Sequence, residues 1–111
     1  MPLELAFANK TIRRVCENQA SASRELGVEV ADSLRRRLAD LRAAPNVKDV
    51  IAGSPRENDS NSQSHFTVDL ANGVRLVFCA NHNSTPMLKT GTVDWAKVSR
   101  VKILKIENNH G

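Results

Sequence analysis

The side chains in this sequence best suited to chemistry are His65, Asp69, Arg75 and His110, with Arg56 as a further cation upstream. An imidazole exchanges a proton near neutral pH, and a guanidinium holds anionic charge at any working pH. His65, Asp69 and Arg75 fall on one side of an alternating pattern whose other side carries Phe66 and Val74. His110 comes shortly after the apolar run Val101, Ile103, Leu104 and Ile106, so its imidazole lies just past the end of a strand. A terminal strand laid beside the 65–80 segment would bring His110 near the other three. Such a group of residues suits proton transfer where negative charge must be held.

The elements that position these residues follow from periodicity. Leu3, Leu5 and Phe7 share one side of a short extended segment, and Asn9 is placed to cap a helix with Ile12, Val15 and Cys16 on one face. Ser21 to Ser23 mark a break. From about residue 24 to 44, Val28, Ala31, Leu34, Leu38 and Leu41 recur at three- and four-residue spacing, the stripe of an amphipathic helix. Gly27 favours a start after it, Pro45-Asn46 ends it, and Asp32–Arg36 and Arg36–Asp40 are spaced to pair along its exposed side. Residues 53–64 contain no large apolar side chain and read as a surface loop. Phe66, Val68 and Leu70 then alternate with polar residues, Ala71-Asn72-Gly73 turns the chain, and Val74, Leu76, Phe78 and Ala80 return, a hairpin. A polar loop over 81–92 leads to Asp94, placed to cap one turn through Val98 before the last strand. The expected fold class is α+β in the order β-α-α-β-β-β, with two helices packed on one face of a small, mainly antiparallel sheet.

At 111 residues the chain is expected to form a single domain over 1–111. Its aromatic content is 4%, so an aliphatic core is expected. A formal net charge of +4 favours polyanionic or acidic partners. Met1 to Phe7 lacks the basic start and apolar run of a secretory signal, and nothing approaches membrane-spanning length. Cys16 and Cys79 stand alone, with no CxxC and no histidine cluster, as small apolar residues of a reduced compartment; neither a metal nor a cofactor is expected, and the cytoplasm is the expected location.

The order of a leading strand, a helix reading NKTIRRVCEN, a helix reading LGVEVADSLRRRLADLRAA, a hairpin reading HFTVDLANGVRLVF and a tail reading VDWAKVSRVKILKIENNH resembles the RelE/ParE superfamily of bacterial type II toxins, in its HigB-like branch. The likeness spans nearly the whole chain. It implies a RelE-like fold and a toxin that cleaves messenger RNA on the ribosome, held inactive by a cognate helix-turn-helix antitoxin in a toxin–antitoxin hetero-oligomer. By resemblance, Arg75 would stabilise phosphate charge and His110 would act as acid or base, with His65 and Arg56 as further members of the catalytic set. Lys97, Lys102 and Lys105 would contact RNA, and Arg36, Arg37 and Arg42 would offer the antitoxin its surface. Two departures from the family pattern point to an alternative. Arg56 is the sole cation of residues 53–59, and Asn109 stands where an aromatic ring often precedes the terminal histidine. The alternative is a catalytically depleted member of the same fold that acts as an antitoxin-binding or regulatory partner. A third reading, an RNA-binding module, rests on Arg35, Arg36, Arg37 and Arg42 along the long helix.

Overall fold

Asn9 and Asn18 start the helical half of the molecule. The Asn9 Oδ1 accepts the Ile12 N–H at 2.9 Å, and the Asn18 Oδ1 accepts the Ser21 N–H at 3.0 Å. Each satisfies a donor that a first helical turn otherwise leaves open. The computed structural model describes residues 3–50, 55–60, 63–82 and 84–108. In it, β1 (Glu4–Phe7) leads into α1 (Lys10–Glu17), α2 (Gln19–Leu26) and α3 (Val28–Ala43). The strands β2 (Arg56–Ser60), β3 (Gln63–Asp69), β4 (Val74–Ala80) and β5 (Arg100–Asn108) follow.

The fold is α+β, as the sequence predicts, with three helices rather than two. Ser21 to Ser23, expected to be a break, lie within α2, because the Asn18 cap restarts the helix directly after α1. The true corner is Gly27, at φ +86°, a backbone conformation that a residue with a Cβ rarely adopts. Val28 follows that corner and is 65% exposed, so the buried stripe of α3 starts at Val30 and continues through Ala31, Leu34, Leu38 and Leu41. The expected pairs through Arg36 do not form. Asp40 takes Arg37 at 2.9 Å instead, and Asp32 accepts from Gln19 of α2 at 3.1 Å.

The sheet order is β1-β5-β4-β3-β2, and the sheet is mixed. β1 runs parallel to β5, with Leu5 opposite Val101 and Phe7 opposite Ile103, while the other neighbours are antiparallel. The hairpin β3–β4 forms as expected and turns at Asn72 (φ +59°) and Gly73 (φ +76°). β2 was not expected. Its residues are polar, yet Arg56 to Ser60 pair with Thr67 to Gln63 and extend the hairpin into a three-stranded meander. Backbone pairing with β3 makes this polar segment a strand, which is common at a sheet edge.

In β5, Val77 is opposite Lys105 but Phe78 is opposite Ile103, so Leu104 is the extra residue of a bulge. Ile103 and Ile106 therefore both pack toward the core, and Lys102 and Lys105 both fall on the other face. The core fills the space between α3 and the sheet and joins Leu34, Leu38 and Leu41 to Leu76, Val101 and Ile103. Its centre is aromatic as well as aliphatic. Phe66 lies 5.6 Å from Phe78 and 5.1 Å from Trp95, ring centre to ring centre, and Trp95 and Phe78 are the largest fully buried side chains. Asp94 lends the turn before β5 its backbone carbonyl, which accepts from Lys97 N–H, rather than its side chain. Among the described residues, no helix is long and apolar enough to cross a membrane.

Candidate functional site

On the sheet face opposite the helices, strand register lays charged residues side by side. Asp69 of β3 is opposite Arg75 of β4, which is opposite Glu107 of β5. The Arg75 Nε donates to Glu107 Oε1 at 2.7 Å, and Lys105 Nζ approaches the other carboxylate oxygen, Oε2, at 3.1 Å. At the far side, Arg56 Nη2 donates to Asp69 Oδ1 at 2.9 Å. Three cations thus face two carboxylates across four strands.

The floor beneath them is dry. Thr67 and Val77 are opposite each other, with Arg56 beyond Thr67 and Lys105 beyond Val77, and both are buried although they lie on the outer face. A low-polarity floor strengthens charge interactions above it. Burial pushes the Glu107 carboxyl up, but hydrogen bonds from Lys105 and Arg75, together with their charges, outweigh it and hold the group below its ordinary range. A carboxylate held that low is a weak base, so Glu107 orients Arg75 rather than taking up protons.

His65 shares this face but lies four residues along β3 from Asp69, roughly 13 Å by strand geometry. It is half-buried and does not join the Arg75–Glu107 pair. Lys102 is half-buried on the same face, opposite Cys79 on one side and Ala6 on the other, and continues the basic surface from Lys105. Lys97 stands apart in the single turn Trp95–Lys97, exposed while Trp95 enters the core. His110 lies outside the described residues.

Arg36, Arg37 and Arg42 do not form one patch. Successive α-helical residues point about 100° apart, so the three spread around α3. Arg37 is held by Asp40, Arg36 is exposed, and Arg42 turns with Arg35 toward a groove against α1 and α2. Arg35, the residue just before Arg36 and about two helical turns before Arg42, is the one that shares a face with Arg42.

Sequence reasoning missed Glu107 and His82. A glutamate near the end of an amphipathic strand looks like a solvated residue, and only the register with Arg75 gives it a role. His82 sits in a polar loop, where its Nε2 accepts the backbone N–H groups of Ser99 at 3.1 Å and Arg100 at 3.3 Å. That geometry requires a neutral ring with its proton on Nδ1, and it pins the start of β5. The thiols of Cys16 and Cys79 are free and half-buried. Burial pushes Cys16 up to about 11 against the opposing charge of Arg42. Among the described residues, no group of three His, Cys, Asp or Glu side chains is arranged to hold a metal ion. Comparison with protein-family models, with curated proteins and with solved structures finds no match to this chain.

Proposed function

We propose that this chain is the toxin of a type II toxin–antitoxin system, an endoribonuclease that cuts messenger RNA on the ribosome and is neutralised by a cognate helix-turn-helix antitoxin. The observation that supports this best is the outer sheet face, where strand register and the Leu104 bulge line up Arg56, Arg75, Lys105 and Lys102 over a buried floor. A row of cations on a twisted sheet follows an RNA backbone, whose phosphates dominate affinity. A ribosomal target implies a cytoplasmic site of action.

Cleavage of this class proceeds by attack of the ribose 2′-oxygen, whose hydroxyl proton passes to solvent water, on the adjacent phosphorus. The new P–O bond gives a 2′,3′-cyclic phosphate, the bond to the 5′-oxygen breaks, and that oxygen leaves with a proton. Arg75 would stabilise the extra negative charge on the pentacoordinate phosphate. Glu107 holds its guanidinium through the 2.7 Å contact at Nε until phosphate competes for it. His110 would supply the leaving proton, a role carried by the sequence resemblance. Lys102, Lys105 and Arg56 would hold flanking phosphates, and His65 would meet the RNA farther along the face.

A second reading, the catalytically depleted partner, is favoured by one observation: Arg75 and Arg56 are each already held by a carboxylate. One experiment separates the two. Translating ribosomes are incubated with the purified chain, Arg75→Ala and His110→Ala, and transcript ends are mapped. Cleavage that falls by about 10²–10³ in Arg75→Ala fits the nuclease. Intact transcripts with the unmodified chain refute the nuclease and favour the depleted reading.

A further inference from the structure

We propose that the cleft between β1, the start of β5 and the loop at Asn81 and His82 takes up a guanine base of single-stranded RNA. The cleft lies on the outer sheet face, at the end remote from Arg75. Arg100 is two residues before Lys102 on β5, so the two share that face, and Glu4 of β1 is directly opposite Arg100. From Arg100 to Glu107, the partner of Arg75, is roughly 20 Å by strand rise. The row of cations proposed to follow the RNA backbone therefore runs into the cleft. Its volume is about 260 Å³. That is below the range of about 300–1,000 Å³ usual for drug-sized ligands, and it suits a single planar ring system.

The wall of the cleft is built in advance. The Asn81 N–H donates to the Arg100 carbonyl at 2.8 Å, and His82 Nε2 accepts from Ser99 and Arg100, so three hydrogen bonds clamp the loop to β5. They leave the Asn81 side-chain amide and the His82 Nδ1–H without a partner among the described residues. Arg100 Nε and Glu4 Oε2 lie 3.2 Å apart, with side chains 54% and 69% exposed, so that pair is weakly held and open to a ligand. A guanidinium beside a carboxylate sets donors next to acceptors. Guanine alone among the four RNA bases carries the complement along one edge, its O6 acceptor beside the N1–H and N2–H donors. Arg100 would donate to O6, and the Glu4 carboxylate would accept from N1–H and N2–H. Adenine and cytosine offer a carboxylate one amino group, and uracil flanks its single N–H with two carbonyls that repel it. This inference rests on reading the outer face as an RNA surface, and it names residues outside the proposed catalytic set.

The probes are short labelled oligouridylates, 2′-O-methylated throughout so that they resist cleavage, with one central guanosine, one central inosine or neither. Fluorescence anisotropy on the full chain reads their affinities. The guanosine probe should bind about tenfold more tightly than plain oligouridylate, the worth of one charge-assisted hydrogen bond. Inosine, which lacks the N2 amine, should lose most of that gain. Glu4→Gln should abolish the preference. Because it also removes a negative charge and so strengthens binding of every probe, the ratio between probes is the readout. Glu25→Gln, which neutralises an exposed carboxylate on α2, should keep the ratio. Equal affinity for the guanosine and plain probes, no loss with inosine, or a preference that survives Glu4→Gln would each overturn the proposal. Guanosine monophosphate binding as tightly as the guanosine probe would overturn it too, by making a free nucleotide the ligand. RNA bound without base preference refutes the cleft and leaves the RNA surface standing, whereas no binding of any probe refutes that surface as well. Transcripts that stay intact refute the nuclease alone.

Discussion

Replacing Glu107 with glutamine should make the protein less stable and bind RNA more tightly. The carboxylate holds Arg75 at 2.7 Å and Lys105 at 3.1 Å, and its side chain is 29% exposed, so both interactions are partly screened. Partly exposed ion pairs contribute about 0.2–1 kcal/mol each, which puts the loss at roughly 1 kcal/mol at pH 7 and the fall in melting temperature near 4 °C. The sign with pH follows from the lowered carboxyl. Its stabilisation is present above the ordinary value of 4.5 and is lost as pH falls through the folded-state value below that, so wild type and Glu107→Gln should converge in strong acid. On the face itself, three cations would oppose one carboxylate instead of two. One more cation free for a phosphate steepens the salt dependence on single-stranded RNA by about 0.7 and raises affinity about fourfold at 0.15 M salt. Fluorescence anisotropy with a labelled RNA across a salt series, beside thermal melts across pH, measures both. Equal or weaker RNA binding by a folded Glu107→Gln variant would show that RNA does not meet the cations of this face.

Three further outcomes follow from the packing. Deleting Leu104 removes the extra residue and leaves Ile103, Lys105 and Ile106 in plain alternation on their present faces opposite Phe78, Val77 and Leu76, so denaturant unfolding should show only a small loss, whereas inserting one alanine between Lys105 and Ile106 would turn Ile106 outward and should cost more. The Trp95 Nε1–H is buried without a hydrogen-bond partner, so Trp95→Phe removes an unsatisfied donor and should cost much less than the roughly 3–5 kcal/mol of Trp95→Ala; equal costs by chemical denaturation would contradict this. The Cys16 thiol, pushed up to about 11, should alkylate slowly at pH 8 and keep gaining rate as pH rises toward 11, as read by mass spectrometry of the labelled peptide.

What the sequence makes legible here is whatever periodicity or a cap encodes locally. The Asn9 cap, the Leu34–Leu38–Leu41 stripe, the Gly27 start and the 66–80 hairpin all declare themselves within a few residues. β2 does not, because Arg-Glu-Asn-Asp-Ser lacks every strand-favouring side chain and becomes a strand only through its neighbour's backbone. α2 was hidden by its serines, which favour caps and breaks until an asparagine upstream supplies the cap instead. The site was legible in part. Alternation put Arg75, Asp69 and His65 on one face, but the partner of Arg75 sits 32 positions later on a strand whose register depends on a bulge. The arginines of α3 were visible as a run, and only the angular spacing around the helix, with α1 and α2 in place, separates Arg35 and Arg42 from their neighbours.

The parallel pairing of Glu4–Phe7 with Arg100–Ile103 has a kinetic meaning. Because β5 inserts between β1 and β4, β1 finds its sheet partner only after nearly a hundred further residues have been synthesised. Helices α1 to α3 and the β2–β4 meander have local contacts and are free to form early, but the sheet closes only when the late strand slots between two pieces already made. A nascent chain shorter than this would lack both Glu107 and the Lys102–Lys105 pair, so the basic face on which the proposed activity depends is assembled in the last step of folding.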